Sequence, residues 1–443
     1  MNTVQKCLST VLVAALVGVF PAPTPAAAAP VCDAPVASPT QPGYLIADPD
    51  CDPTGTPFTA LPGAVVHTGI SDGAAYRVEV PGNWNGRLVL YAHGYRGNGT
   101  TVYVDSPSLR SHYVARGFAW AASSYQTNGY DVDQGVLDSY ALIGVFREVT
   151  GTRPESVLMT GASMGGHVTA VAIERYPRAF AGAMPVCGVL GDVELFDYFL
   201  DANLTAAALA GVEVPYPTDA ETWRALVGSI LPVLRSTTAG RTWADVVERR
   251  SGGERPGFDA ALAYWTAARA LPPFADLPFL FGMYPGVTGA PVHGNRTTFY
   301  RSTDRLLPTF AEWRLNAAVQ RVPATGDLGA VPRVAGRPPV PVVSLHDLGD
   351  LFVPFSMEQV YAARAALHGR SRLVVSRAIR GVGHCDFTRP ELQTAFDDLV
   401  TWVDGGPRPA GDAILNRRAV ADPAFGCRFT VGERAAFGVP CPA

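Results

Sequence analysis

Five residues, Gly161 to Gly165, read Gly-Ala-Ser-Met-Gly and could carry chemistry. A G-x-S-x-G pattern is typical of enzymes that present a serine hydroxyl on a sharp strand-to-helix turn. The flanking sequence fits this turn, because Ser156 to Thr160 is an apolar run of strand length and Gly166 to Ala172 has a helical pattern. Glycines are needed beside such a turn, where side chains would clash. The sequence therefore predicts Ser163 as a nucleophile, and a structural helix cap is the alternative.

A serine hydroxyl needs a neighbouring base at neutral pH, and the base needs a third group that holds its tautomer. Among the eight histidines, His384 is the candidate base, because it lies in the glycine-containing loop Gly381 to Asp386 after the last predicted strand. The candidate acid follows the strand predicted at Val340 to Leu345. Asp350 is our choice and Asp347 is the second. The alternatives are a surface histidine and solvated turn aspartates.

Acyl transfer also needs donors for the oxyanion that develops on the attacked carbonyl. The backbone amide of Met164 is one candidate, because it lies at the start of the predicted helix. The second is the amide of Tyr95, which follows a His-Gly pair at the end of the third predicted strand. We expect His93 of that pair to be buried and hydrogen-bonded. His167 could face the site, but a structural role is the stronger expectation.

The only lysine is Lys6, which lies in a segment that we expect to be removed. Its absence from the rest of the chain excludes Ser-Lys catalysis, Schiff-base chemistry and P-loop nucleotide binding. Histidine and acidic residues do not cluster at metal-ligand spacing, so a metallohydrolase is a weak alternative. The sequence predicts no cofactor and no metal.

Residues 1–29 have the layout of a cleaved signal peptide, with an apolar run from Leu8 to Phe20 and a Pro/Ala-rich end. The run is too short to span a bilayer comfortably, which disfavours the alternative of an uncleaved anchor. We therefore predict a secreted protein without a membrane anchor. The formal net charge of −4 provides no field that would recruit nucleic acid or an anionic membrane.

The elements that must position these residues alternate between strand and helix patterns. Ala75 to Val80 is predicted as an edge strand, whereas Arg87 to His93 and Phe118 to Ala122 are continuous apolar runs typical of buried parallel strands. Val132 to Val149 has helical spacing. The strand pattern stops after Gly188 and resumes at Pro339. The stretches between them with helical patterns are Val193 to Ala210, Thr222 to Leu234, Phe258 to Ala270 and Leu307 to Val322.

This alternation predicts an α/β fold with a doubly wound, mostly parallel sheet and an inserted helical cap. We divide the chain into a signal peptide (1–29), an N-terminal arm (30–60), the first part of the core (61–190), the cap (191–335), the second part of the core (336–404) and a C-terminal extension (405–443).

The order Ser163, Asp350, His384 resembles the α/β-hydrolase superfamily over residues 75–190 and 336–404. The blocks Pro81 to Gly86 and Gly383 to Thr388, together with the large cap, are similar to those of secreted bacterial esterases and amidases that act on aromatic acyl groups. The families that these features resemble are phthalyl-amidase-like and feruloyl-esterase-like enzymes. The resemblance implies an α/β-hydrolase fold and an acyl-serine mechanism.

Six cysteines remain after removal of Cys7, and an even number in an exported protein indicates disulfides. Two pairs are close in sequence and lie in the Pro/Gly-rich ends of the chain. In tannases and fungal feruloyl esterases, a cysteine before the serine pairs with the one after the histidine. Here Ala162 precedes the serine, although Cys385 follows His384. We expect Cys187 to pin the histidine loop instead; two buried thiols are the alternative. The expected pairs are Cys32–Cys51, Cys427–Cys441 and Cys187–Cys385.

The function that these residues predict is hydrolysis of a carboxylic ester in a small-molecule or polymer-linked substrate. The same groups could cleave an amide or transfer the acyl group to an alcohol, and an inactive binding protein is the alternative outside enzymes. The cap is rich in aromatic residues, most of which we expect in its core and some in the walls of a cleft for a bulky or aromatic acyl group. They include Trp223, Trp243, Trp265, Trp313, Phe196, Tyr198, Phe199, Phe279, Phe281 and Tyr284.

Overall fold

The computed structural model of the protein describes residues 32–267, 292–324, 328–432, 434 and 440–442. The predicted signal peptide lies outside the described residues, as do Phe279, Phe281 and Tyr284. The helices that are described all fall short of the length and apolar character that a bilayer span requires.

Short strands of five to eight residues carry the core, and three two-residue strands form a small separate sheet near the N-terminal arm. In chain order the strands are β1 (Val36–Ala37), β2 (Leu45–Ile46), β3 (Ala64–Ser71), β4 (Ala74–Pro81), β5 (Arg87–Ala92), β6 (Thr101–Val102), β7 (Ala119–Ser123), β8 (Ser156–Ala162), β9 (Gly182–Val186), β10 (Val342–Asp347) and β11 (Val374–Ile379).

The central sheet has eight strands in the order β11-β10-β9-β8-β5-β7-β4-β3. The strands from β11 to β7 pair in parallel, and β4 pairs antiparallel with both of its neighbours. The prediction of a mostly parallel sheet is confirmed. The prediction that β4 is an edge strand is wrong, because β3 pairs along its whole length. The half-exposed side chains of β3, such as Val65 and Ile70, do not alternate cleanly between buried and exposed, so no strand pattern is recognisable there.

Helices cover both faces of this sheet, as a doubly wound fold requires. On one face, the helices Val132–Thr150 and Met164–Arg175 contact each other and the central strands. On the other face, Phe396 of the helix Arg389–Val403 packs against Tyr113 and Phe118. Each face has its own cluster of buried apolar side chains. These core helices are α1 (Arg110–Ala115), α2 (Val132–Thr150), α3 (Met164–Arg175), α9 (Ser356–Leu367), α10 (Arg389–Val403) and α11 (Arg417–Val420).

Between β9 and β10 the described residues form helices and no strand. The apolar side chains of these helices join the cluster on the α2 and α3 face. One helix, α6, was not predicted, because its charged sequence buries only a narrow stripe around Trp243, Val246 and Val247. The helices of this segment are α4 (Glu194–Ala210), α5 (Ala220–Ser236), α6 (Thr238–Ser251), α7 (Phe258–Trp265) and α8 (Phe310–Ala318).

All three expected disulfides are present: Cys32–Cys51, Cys187–Cys385 and Cys427–Cys441. Disulfides of this number are typical of proteins that fold in oxidising compartments.

Candidate active site

Ser163 occupies a strained turn between β8 and α3, with φ 59° and ψ −122°. A Cβ on Gly161 would lie 2.2 Å from the carbonyl oxygen of Gly165, and one on Gly165 would lie 2.0 Å from that of Ala92. Neither position can hold a side chain without moving backbone. The glycines therefore permit the turn, and a left-handed backbone at a non-glycine residue is the kind of strain found at functional sites.

The structure brings Ser163, His384 and Asp350 into one chain of hydrogen bonds. The Nε2 atom of His384 lies 2.8 Å from the Ser163 hydroxyl oxygen, and its Nδ1 atom lies 2.6 Å from the Asp350 carboxylate. The buried carboxylate also accepts the backbone N–H groups of Phe352 and Val353, both at 2.9 Å. These bonds fix the position of the carboxylate, which can hold the imidazole in the tautomer that accepts a proton at Nε2.

Asp347, the second candidate for the acid, is not part of this hydrogen-bond chain. One of its carboxylate oxygens accepts the N–H of Asp386 at 2.9 Å. Burial raises its pKa well above the ordinary range, and the charges of Asp350 and Asp386 add to the shift. Asp347 is therefore suited to a neutral structural role.

Ser163 stands where the order of the sheet reverses, because β5 and β8 are neighbours and Ala92 pairs with Gly161. In open α/β sheets, ligands bind at the carboxyl ends of the strands at this reversal. The strand order, together with a serine on a strained turn at this reversal, identifies the fold. The chain has the α/β-hydrolase fold.

The two candidate oxyanion donors lie on either side of this turn. Met164 begins α3, so its N–H is among those without an acceptor inside the helix. A Cβ on Gly94 would lie 3.3 Å from the Cβ of Ser163, so the chain that continues into Tyr95 passes directly beside the serine. The Tyr95 hydroxyl donates to Asn98 at 3.1 Å. The oxyanion role of both amides stays a prediction.

Both histidines for which we expected structural roles are buried. His93 contacts the carbonyl oxygen of Ser124 at 3.1 Å and stacks on Tyr125, and burial lowers its pKa well below the ordinary range. His167 contacts the Tyr130 hydroxyl at 3.1 Å and the carbonyl oxygen of Pro332 at 2.8 Å. Burial lowers its pKa to about 4. Both rings are therefore neutral at physiological pH.

The Cys187–Cys385 disulfide lies directly beside the candidate base. The sulfur of Cys385 is 3.5 Å from Nε2 of His384. Cys187 follows β9, and its N–H donates to the carbonyl oxygen of Leu345 in β10 at 2.8 Å. The disulfide thus ties the His384 loop to two strands of the sheet.

Three side chains of the cap bond to the loops that carry the acid and the base. The indole N–H of Trp265 lies 2.9 Å from the carbonyl oxygen of Val382 and 3.1 Å from that of Gly349. The buried guanidinium of Arg255 and the Tyr198 hydroxyl donate to carbonyl oxygens on either side of Asp350, at 2.6 and 3.0 Å. Sequence reasoning missed these contacts, because their acceptors are backbone atoms far away in the chain.

Aromatic rings surround the candidate base on the side of the cap. Phe352 meets His384 edge to face with ring centroids 5.1 Å apart, and it stacks between Phe199 and Trp265 at 5.6 and 6.3 Å. Phe352 comes from the acid loop, and the other two rings come from α4 and α7. The imidazole therefore contacts an apolar ring and lies beside a disulfide.

A cavity of about 240 Å³ lies beside the disulfide, and Ser163 and His384 are not among its lining residues. Its lining includes Ala162 and Cys385, the residues beside Ser163 and His384, together with Tyr91, Leu109 and Met184. A dry cavity of about 150 Å³ is large enough to hold benzene. This space can therefore hold an aromatic ring.

One group of potential metal ligands among the described residues coincides with the site: Cys187, Cys385 and His384, whose ligand atoms lie within 4.8 Å of one another. The metal ligand of a cysteine is its thiolate, and here both sulfurs are joined in a disulfide. In this oxidised form the group lacks the donors of a metal site.

No family model matches the chain. The chain is similar in sequence to an o-phthalyl amidase from Xanthobacter agilis, with 22% identity over 409 residues that cover 77% of this chain and 87% of the relative.

Similar solved structures include two from Aspergillus oryzae. An esterase has 12% identity and a TM-score of 0.44, covering 79% of this chain and 81% of that one. Feruloyl esterase B has 14% identity and a TM-score of 0.44, covering 79% and 82%.

Proposed function

We propose that the protein is a secreted serine hydrolase that cleaves carboxylic esters through an acyl-serine intermediate. The observation that carries this proposal is the continuous hydrogen-bond chain from the Ser163 hydroxyl through His384 to Asp350. Both ring nitrogens of His384 are engaged in the manner that a general base needs, one toward the nucleophile and one toward the orienting carboxylate.

In the proposed mechanism, the Ser163 oxygen attacks the ester carbonyl while Nε2 of His384 takes the hydroxyl proton. The amides of Met164 and Tyr95 hold the resulting oxyanion. His384 then gives its proton to the departing alkoxide, which leaves an acyl-serine and a free alcohol. A water molecule then attacks the acyl-serine and gives a proton to His384, which passes it to the Ser163 oxygen as the carboxylic acid is released. Asp350 stays anionic and stabilises the imidazolium in both steps.

We propose an aromatic or otherwise bulky acyl group as the substrate feature. Two observations support it: the Phe352 ring beside His384, and the cavity next to Ala162 and Cys385, whose volume of about 240 Å³ exceeds that of a benzene site. Hydrolysis of an amide is the second candidate, because a sequence relative of the chain is an o-phthalyl amidase.

The reaction is tested by comparing p-nitrophenyl benzoate, p-nitrophenyl acetate and the benzoyl p-nitroanilide as substrates, with and without an added alcohol. The proposal expects the benzoate ester to have the highest kcat/KM and free benzoic acid to be the main product. Faster cleavage of the anilide would favour an amidase, and a dominant benzoyl ester of the added alcohol would favour an acyltransferase. Ser163→Ala should lower kcat by about 10³-fold or more. Equal turnover by this variant, or none by the wild type, would contradict the proposal.

Secretion is proposed on two grounds: residues 1–29 have a signal-peptide pattern, and the described chain carries three disulfides. N-terminal sequencing of protein from the culture medium should give a chain that begins near Pro30. An uncleaved N-terminus would contradict the assignment.

A further inference from the structure

A short part of the cap exposes five large apolar side chains, which we call the exposed apolar surface. Leu306 is 94% exposed, Phe310 78%, Leu307 76%, Trp313 57% and Phe299 38%. The rings of Phe299 and Trp313 meet edge to face with centroids 5.0 Å apart, so Phe299, which precedes α8 in the sequence, shares this surface with the exposed turn of α8. Large exposed apolar patches on soluble proteins mark sites of interaction.

The helix α8 in this surface has its polarity reversed. A surface helix usually turns its apolar stripe to the core and its charged residues to water. In α8, Phe310 and Trp313 face outward, whereas Glu312 is fully buried alongside Leu315. The exposed aromatic side chains of α8 therefore lie on a different face from its buried residues. This face is available to a binding partner.

The exposed charges of this surface that form no ion pair with a described acid are positive, although the whole chain has a formal net charge of −4. Of the two acids in the described residues 299–319, Asp304 pairs with Arg249 at 2.6 Å and Glu312 points inward. Arg305 and Arg314 are exposed among the apolar side chains.

Glu312 is held in its inward position by several donors. Its carboxylate accepts the backbone N–H groups of Ser302, Thr303 and Thr309 at 2.7 to 2.9 Å, and it pairs with Arg301. Burial alone would raise its pKa, but these backbone hydrogen bonds outweigh burial and lower the pKa to about 2. The negative charge of Glu312 therefore lies inside the cap, where it does not pair with the exposed Arg305 and Arg314.

We propose that the exposed apolar surface docks onto an anionic lipid bilayer, with Leu306, Leu307, Phe310 and Trp313 entering the interface and the two arginines meeting the headgroups. Leucine and aromatic side chains beside arginine are the composition of segments that lie in a membrane interface. A second copy of the chain would place arginine against arginine, which disfavours self-association through this surface. The inference does not depend on the proposed reaction.

Co-sedimentation with vesicles tests this inference on the full chain. Wild type should bind vesicles of phosphatidylglycerol and phosphatidylcholine more tightly than vesicles of phosphatidylcholine alone. The double variant Leu306→Ser/Leu307→Ser should bind anionic vesicles at least tenfold more weakly. Arg305→Gln and Arg314→Gln should each weaken that binding about fivefold. The matched control is Leu367→Ser, which removes a leucine that is 83% exposed outside this surface and should bind as wild type does.

Fluorescence and sedimentation separate the remaining outcomes. Trp313 emission should shift to shorter wavelength on binding, and Trp313→Phe should remove that shift. The proposal is overturned if wild type does not bind anionic vesicles, or if the double variant binds them as wild type does. It is also overturned if wild type is a dimer that the double variant converts to a monomer, because the surface then contacts a second copy.

Discussion

Trp265 donates its indole N–H to the carbonyl oxygen of Val382 at 2.9 Å, and the same group lies 3.1 Å from the carbonyl oxygen of Gly349. Val382 precedes His384 by two residues, and Gly349 directly precedes Asp350. One side chain of the cap therefore joins the loop of the candidate base to the loop of the candidate acid. The distance between these loops sets the His384–Asp350 hydrogen bond, so Trp265 is expected to act as a positioning residue.

Trp265→Phe should lower kcat about tenfold with little change in KM, because it keeps an aromatic ring but removes the N–H that aligns the two loops. The matched control is Trp243→Phe. Trp243 is also buried in the cap, and its indole donates to the carbonyl oxygen of Ala202 at 2.9 Å, away from the triad. Steady-state kinetics and urea unfolding of both variants separate the roles. Equal kcat values for the two variants would mean that Trp265 contributes only to stability.

Asp350→Asn should lower kcat by about 10⁴-fold, because an amide cannot hold His384 in the productive tautomer. Asp347→Asn should leave kcat within a few-fold of wild type, since the amide oxygen can still accept the N–H of Asp386. Measuring both variants on one substrate distinguishes the two aspartates. A larger loss for Asp347→Asn would reverse the assignment of the acid.

Removing the Cys187–Cys385 disulfide should affect both stability and catalysis. The double variant Cys187→Ala/Cys385→Ala should lose about 4 kcal/mol of unfolding free energy and should also have a lower kcat, because the His384 loop loses its tie to the sheet. Cys32→Ala/Cys51→Ala is the control. It removes a disulfide from the N-terminal arm and should cost about 3 kcal/mol while kcat is retained. An unchanged kcat in the first variant would show that the disulfide does not position the base.

The unfolding free energy should fall between pH 7 and pH 5, because protons bind His167 more readily in the unfolded chain. Burial lowers its folded pKa to about 4, against an unfolded value near 6.5. The stabilising effect is present above the unfolded pKa and is lost as the pH falls toward the folded one. This residue should account for about 2 kcal/mol over that interval.

Urea unfolding of wild type and His167→Gln at both pH values measures this effect. The loss of unfolding free energy on acidification should be smaller in the variant by about 2 kcal/mol. It should not vanish, because burial also lowers the pKa of His293 to about 4 and that residue remains. The same loss in both proteins would contradict the assignment.

The sheet and the positions of Ser163, Asp350 and His384 could be predicted because local sequence determines them. Continuous apolar runs, such as that of β5, indicate strands buried on both faces, and glycines around Ser163 indicate a turn that excludes side chains. The prediction failed where the local pattern is weak. The edge strand β3 is half exposed, and α6 buries only three large apolar side chains in a charged sequence.

The contacts from the cap to the loops that carry Asp350 and His384 could not be predicted from sequence. Trp265, Arg255 and Tyr198 bond to backbone carbonyl oxygens, and every residue type offers the same carbonyl. The acceptors also lie more than 80 residues away from the two donors Arg255 and Trp265. Only the folded arrangement of cap and core reveals them.

The central claim is that Ser163 is the nucleophile, and covalent labelling tests it most directly. Native protein is treated with a fluorophosphonate, and the site of the adduct is located by mass spectrometry of peptides. If Ser163 is the nucleophile, it should be the one phosphonylated residue, and neither Ser163→Ala nor unfolded protein should be labelled. An adduct on another residue, or an unlabelled Ser163 in an active preparation, would contradict it.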